Sequence, residues 1–591
     1  MTRTQRRFCL YLIKPSHYDD DGYVIQWWKS PIPSNSLAAV YGLTQDCIAR
    51  QVLGPETEII VHPMDETNTE VHVDRIARDI EAADVGMVML IGVQSNQFPR
   101  ALDIARPLRA RGIQVGIGGF HVSGVISMLG GEDARFKEAQ AMGISLFAGE
   151  AEGRLEEVLR DADAGALKPL YNFMNDLPGI EDTPVPFMPA GHVGKTAYNL
   201  TSFDAGRGCP YQCSFCTIIN VQGRKSRRRS PDDVEKIVRA NLAQGVYRFF
   251  ITDDNFARNK DWEPIMDRLI HMREVEKLHF NFIIQVDTLC HKIPGFVEKC
   301  ARAGVKRVFI GLENVNPANL MGAKKKQNKI TEYRTMLLAW KAHHVITYAG
   351  YILGFPGDTP ERIMHDIDVI KRELPVDILE FFFLTPLPGS EDHQKLHRAG
   401  VAMDADLNKY DLNHMTTAHP IMSREQWEGI YAHAWDRYYT PEHVATIMRR
   451  AIVSGIAASN ILFLVTWFVG SVKIEGVHPL EGGGVRLKFR HARRPELGLE
   501  HPLVFYPRYW GETALKLMAW ARLYLRFGMI YRRVEKEPNK LAYTDIAMTP
   551  VSDHEEDLEM FQSADAQEWL NKEKHLERVR HGAAEPVSPA E

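Results

Sequence analysis

Along the first 165 residues the apolar positions come in short runs rather than in stripes. RFCLYLIKP (7–15), ETEIIVHP (56–63), DVGMVMLIG (84–92), IQVGIGG (113–119) and GISLFAGE (143–150) are rich in aliphatic residues and close on glycine, proline or an acid. Runs of this length suit strands buried on both faces of a parallel sheet. Amphipathic stretches separate them, among them QFPRALDIARPLRARG, which stops at Gly112. The alternation predicts a doubly wound α/β domain over residues 1–165.

A second array follows over residues 199–430. SPDDVEKIVRANLAQGV (230–246) carries a helix start, with Ser230 as cap, Pro231 in the first turn and Asp232 and Asp233 favouring the dipole. YRFFITDDNF (247–256), HFNFIIQVDT (279–288), VKRVFIGLEN (305–314), ITYAGYILGFPGDT (346–359) and DILEFFFLTPLPGS (377–390) read as strands. KIPGFVEKCARAG (292–304) reads as a helix. Asp253, Asp254 and Glu313 fall at strand C-terminal ends, where α/β sheets and barrels place ligands. Residues 166–198 include DLPGIEDTPVPFMPAGHVGK, which lacks periodicity and reads as a linker.

From about residue 440 the rhythm stops, and residues 431–570 are expected to form a mostly α C-terminal region. Residues 451–472 are 22 uncharged positions between basic flanks, long enough to span a bilayer. They include Asn460, serines and a threonine, so a buried or interfacial helix is the favoured expectation. RYWGETALKLMAWARLYLRFGMIYRRV (508–534) mixes aromatic and aliphatic residues with arginines, as membrane-surface helices do; a core-facing helix is the competing reading. Together the two stretches raise peripheral membrane contact and a lipid-like substrate as expectations. Residues 571–591 read as a frayed tail.

Composition narrows the classes. The chain has 591 residues, 45% of them hydrophobic and 25% charged, with net charge −5, which gives no pointer to a nucleic-acid partner. Seven cysteines are too few for a disulfide framework, and the apolar run near the start is too short for a signal-peptide core. The cytoplasm is the expected compartment.

Three of the seven cysteines, Cys209, Cys213 and Cys216, lie within RGCPYQCSFC (207–216). Buried structural thiols, a zinc site and an iron–sulfur cluster compete as readings. Zinc needs four ligands, and no matching second pair is present. Three thiolates on a four-iron cluster would leave one iron open. The C-x3-C-x2-C motif, with Phe215 before its last cysteine, resembles the radical SAM enzymes. In that family the open iron binds S-adenosylmethionine, and an electron from the cluster cleaves the sulfonium to give an adenosyl radical.

The resemblance implies a partial (β/α)6 TIM-like barrel and assigns companions in order. Asp253 and Asp254 stand at the second strand and Glu313 at the fourth, all toward S-adenosylmethionine; Gly350 and Gly354 belong to the fifth-strand motif beside the adenine. In GRKSRRRSP (223–231), Arg224 and Arg229 are candidates for an anion, and a solvated loop is the competing reading.

The N-terminal domain, flavodoxin-like in pattern, resembles the cobalamin-binding domain of B12-dependent members. Gly92, Gly118, Gly119, Gly149, Glu150 and His121 are its candidate cofactor residues. The D-x-H-x-x-G signature is absent, with Gly119 where its aspartate would stand, so no lower axial histidine is inferred and His121 is read as a turn residue. The resemblance implies a [4Fe–4S] cluster, S-adenosylmethionine and cobalamin as cofactors, a flavodoxin or ferredoxin as electron donor, and methyl transfer to an unactivated carbon. A non-methylating oxidative cyclisation or rearrangement of a tetrapyrrole or lipid-like substrate is the alternative within enzymes, and a decayed binding protein the alternative outside them.

Overall fold

The computed structural model describes residues 5–551 and 557–580. Its first sheet has six parallel strands in the spatial order Thr57–Asp65, Arg6–Lys14, Val85–Leu90, Gln114–Gly118, Ser145–Ala148 and Leu170–Asn172. The first strand shows why the run is apolar throughout. Phe8, Leu10 and Leu12 pack into one layer, and Cys9, Tyr11 and Ile13 into the other, so both faces are covered by helices. The order reverses beside this strand, which opens a crevice at the strand C-termini. The sixth strand, Leu170–Asn172, lies inside the stretch expected to be linker.

The second sheet also has six parallel strands, here in chain order: Leu200–Phe203, Arg248–Ile251, Asn281–Val286, Val305–Glu313, Ile346–Leu353 and Ile378–Phe383. Its first strand was not singled out from the sequence; four residues give too short a pattern to read. Helix Pro231–Ala243 starts as expected: Ser230 accepts from the Asp233 N–H, and the Asp233 carboxylate accepts in return from Ser230.

A helix of the first domain meets a loop of the barrel at glycine. Gly124, from GGFHVSG, sits so close to the loop after the last barrel strand that a Cβ would lie 2.5 Å from the Pro388 oxygen and 2.9 Å from Gly389 Cα.

The apolar run 451–472 is not one helix. Helix Pro441–Val453 ends, Gly455 turns with φ +68°, and helix Ala458–Gly470 begins anew. Ala458–Glu475 is long and apolar enough to cross a membrane by length and composition, and 56% of it is buried. Ile461 and Val465 have no exposed surface, and Phe468 packs on Tyr348 of the barrel. These helices share one core with the barrel. The chain then returns to the N-terminal domain, where Arg486–Leu487 pairs antiparallel with Gln26–Trp27. Helix Pro502–Glu535 follows, 34 residues long. Helix Ala564–Arg580 reaches into the stretch expected to be frayed, and 581–591 lie outside the described residues.

Candidate active site

The cysteine loop leaves the first barrel strand at Phe203. Gly208 turns with φ +89°, and a Cβ there would stand 2.4 Å from the Lys225 oxygen, so only glycine fits. Cys213 is buried and Cys209 and Cys216 half-buried; all three are free thiols. Gln327 donates to the Cys213 sulfur at 3.4 Å. Burial, with neighbouring thiols adding to it, pushes Cys209 up to about 11 and Cys216 up to about 12. Such thiols ionise when a cation compensates them, which is what iron supplies. The donor set therefore fits a cluster held by three cysteines.

Glu313 closes the fourth barrel strand with φ +64°, a left-handed conformation uncommon for a non-glycine residue. Its carboxylate pairs with Lys325, a residue with no motif around it in the sequence. Burial works against the Lys325 charge, but the Glu313 carboxylate overrides it and holds the ammonium above its usual range. Its Nζ lies 5.7 Å from the Phe215 ring centre, so Glu313, Lys325, Phe215 and the thiols form one neighbourhood.

The two aspartates of the second strand separate in role. Asp253 accepts from the N–H groups of Ala205 at 2.7 Å and Gly206 at 2.8 Å, and from the Asn259 amide at 3.0 Å. It holds the start of the cysteine loop. Asp254 is half-buried and close enough to Cys209 and Cys216 to raise both. Burial pushes both carboxyls up to about 7, and the Asp253 charge adds to the effect on Asp254.

The two glycines of the fifth strand answer to side chains. Gly350 lies between rings, with Phe309 at 3.0 Å and Phe382 at 3.2 Å from the place of a Cβ. At Gly354, φ is +92° and the Trp427 indole occupies that place, 1.8 Å away. The neighbour that requires glycine at 354 is this indole, from helix Arg424–Tyr438.

Neither basic candidate points a free guanidinium at the site. Arg224 is exposed and donates to the Pro210 oxygen at 3.3 Å. Arg229 is wholly buried and bonds the Asp204 and Ile180 oxygens at 2.9 and 3.2 Å, and the Thr183 hydroxyl at 3.2 Å. The arginine that matters at the domain boundary is Arg207. It pairs with Asp204 at 2.9 Å, with Glu150 at 2.6 Å and with Glu152 at 2.6 Å. Arg227 also pairs with Glu150 and donates to the Gln222 oxygen at 2.9 Å.

Above this network, at the C-terminal edge of the first sheet, lies a cleft open to solvent. Gly92, Gly118, Gly119, Gly149 and Glu150 line it, together with Arg207 from the cysteine loop. Gly119 is forced: its φ is +148°, and a Cβ would stand 2.2 Å from the Val93 nitrogen. The cleft's glycines bring backbone close, and side chains such as Leu43, Met89, Phe147 and Tyr171 make much of the rest apolar, a lining that suits a large group with an apolar body and a polar or phosphate-bearing end. His121 does not line the cleft. It is fully buried, 3.1 Å from the Ser95 hydroxyl and 4.2 Å from the Phe98 ring centre, and burial pushes it down to about 4, so it is neutral.

Two polar groups were missed from the sequence: one is assembled from residues far apart, and the other is a single acid inside an apolar strand. His17 lies 3.3 Å from Glu481, with Asp411 beside both. Glu380, on the last barrel strand and paired in register with Gly350, is 1% exposed with one carboxyl oxygen lacking a partner. Burial pushes it up to about 8.

Fold and cysteine loop together define a radical SAM enzyme. Residues 205–370 match the radical SAM superfamily, and a doubly wound parallel sheet precedes that stretch. It uses S-adenosylmethionine and a [4Fe–4S] cluster. Bacteriochlorophyllide d C-12(1)-methyltransferase of Chlorobaculum tepidum is 28% identical over 353 residues, 58% of this chain and 71% of that one. Hopanoid C-2 methylase of Rhodopseudomonas palustris is 24% identical over 266 residues, 44% of this chain and 48% of that one. In fold, the chain resembles the radical SAM methyltransferase TsrM of Kitasatospora setae, solved with cobalamin and a [4Fe–4S] cluster: TM-score 0.54, 14% identity, 74% of this chain and 90% of that one.

Proposed function

We propose that this enzyme is a cobalamin-dependent methyltransferase acting on an unactivated carbon of a small-molecule or lipid-like substrate. The observation that carries the reading is Arg207. It belongs to the cysteine loop and also lines the glycine cleft, so one residue joins the two cofactor neighbourhoods. The methyltransferase relatives support the same assignment.

When bound, the cluster supplies the electron that cleaves S-adenosylmethionine, and cobalamin supplies a methyl carrier. The chain's part is to hold, orient and exclude water. Cys209, Cys213 and Cys216 would hold the cluster, with Gln327 donating to the Cys213 sulfur. Asp254, Glu313 and Phe215 would receive S-adenosylmethionine, while Asp253 keeps the loop in place through Ala205 and Gly206. Gly92, Gly118, Gly119 and Gly149 would let backbone approach the cobalamin tail, and Glu150 is fixed by Arg207 and Arg227. Residues 1–165 would thus bind the methyl carrier, 199–430 generate the radical and 431–570 cover the barrel. The electron would come from a flavodoxin or ferredoxin, and the free thiols suit the reducing cytoplasm.

The test is anaerobic reconstitution with iron, sulfide and hydroxocobalamin. About four irons and a single tightly held cobalamin per chain are expected, with S-adenosylhomocysteine formed beside 5′-deoxyadenosine on turnover. Four irons without cobalamin would remove methyl transfer from the assignment.

A further inference from the structure

Helix Pro502–Glu535 is the longest among the described residues, and only Phe505, Phe527, Ile530 and Val534 of it are buried. The other side is apolar and faces solvent. Leu503, Trp510, Leu517, Met518, Leu525 and Met529 are each 52–79% exposed. At 3.6 residues per turn they share one face, opposite the buried four. Scattered exposed apolar residues are ordinary, but a contiguous row of this length marks a contact surface.

The borders of the row say what it contacts. Tyr506 and Tyr524, each at least half exposed, run along one edge. Arg522, Arg526 and Arg533 run along the other, and all three are exposed. Among the described residues, Arg522, Arg526 and Arg532 have no carboxylate partner. The helix has six basic residues and two acids, Glu512 and a terminal Glu535 that pairs with Lys540, in a chain of net charge −5. An apolar face bordered by tyrosines and by arginines, of which Arg522 and Arg526 have no carboxylate partner, complements an anionic lipid surface: side chains enter the acyl boundary, phenols sit at its edge, and guanidiniums meet phosphates. A second copy of the chain would set the same arginines against each other with no acid to answer them.

We propose that this helix lies in the plane of a membrane leaflet and docks the enzyme on anionic phospholipid. The segment proposed to dock is not the apolar run 451–472, whose second helix is largely inside the protein. The proposal stands apart from the methyl-transfer assignment, since lipid binding needs neither cofactor nor turnover.

The test is cosedimentation of the full-length reconstituted protein with phosphatidylglycerol–phosphatidylcholine vesicles and with phosphatidylcholine alone. Binding is expected to the anionic vesicles, weakening as salt rises. It should fall about tenfold in the double variant Arg522→Gln/Arg526→Gln, and further in Leu517→Glu/Leu525→Glu. These side chains are exposed, so iron content and melting temperature should match the parent. No binding by a folded parent would overturn the proposal. So would a dimer in solution that Leu517→Glu/Leu525→Glu dissolves, which would make the face an interface between copies. Equal binding to both vesicle types would overturn the anionic assignment.

Discussion

Arg207 reaches 2.6 Å to Glu152 across the boundary between the two sheets, with both side chains almost fully buried. The same guanidinium takes Asp204 and Glu150. A buried ion pair adds little over a well-packed apolar pair, yet removing one partner leaves charge uncompensated. Here the partner serves three carboxylates at once.

Arg207→Ala should therefore destabilise the protein by about 3–5 kcal/mol, read as a lowered melting temperature. Arg207→Lys should restore only part of it, because a point charge cannot serve three carboxylates in fixed directions. Burial alone would raise the Glu152 carboxyl, but Arg207 overrides it and holds it below the usual range. A depressed carboxylate contributes stability above its unfolded pKa and loses it as pH falls, so the parent's advantage over Arg207→Ala should shrink on acidification. A constant difference across the acid range would contradict this.

Cys213→Ala removes a thiol that is 7% exposed and accepts from Gln327. Reconstituted iron should drop from about four per chain to near zero, with the circular dichroism spectrum unchanged. Unaltered iron content would refute the cluster.

Glu380→Gln should stabilise the protein at neutral pH. Burial raises the carboxyl from 4.5 to about 8, so the folded state holds a proton that the unfolded chain releases. Stability is then highest below pH 4.5 and declines as pH rises to about 8. The amide does not titrate. The gain at pH 7 should be at most about 3 kcal/mol, and the melting temperature should fall less steeply between pH 5 and pH 8 than in the parent. Parallel curves for the two proteins would show that the carboxyl is not titrating there.

Gly124→Ala sets two effects against each other. Alanine in a helix gains about 1 kcal/mol over glycine. The new methyl would meet backbone of Pro388 and Gly389, which cannot swing aside as a side chain can. Forced overpacking costs about 1–3 kcal/mol, so a net loss is expected, with weaker cobalamin retention as the sheets separate. Increased stability would show that the interface yields.

The chain's periodicities determined most of the secondary structure. Two parallel arrays, the Ser230 cap and the C-x3-C-x2-C loop are local patterns, and local patterns survive in a single sequence. Tertiary structure decided what each charged residue does. Arg224 and Arg229 stand in the same basic run as Arg227, and nothing in that run distinguishes the solvent-facing residue from the ones that bond backbone or Glu150. Lys325 and Glu313 lie twelve residues apart, and only the bend of the fourth strand's end brings them to the thiols. The two apolar C-terminal stretches read alike as sequence. One is broken at Gly455 and packed against Tyr348; the other turns its apolar face to solvent. Hydrophobicity is a property of residues, but burial depends on which elements happen to cover them, and that is settled only when the whole chain has folded.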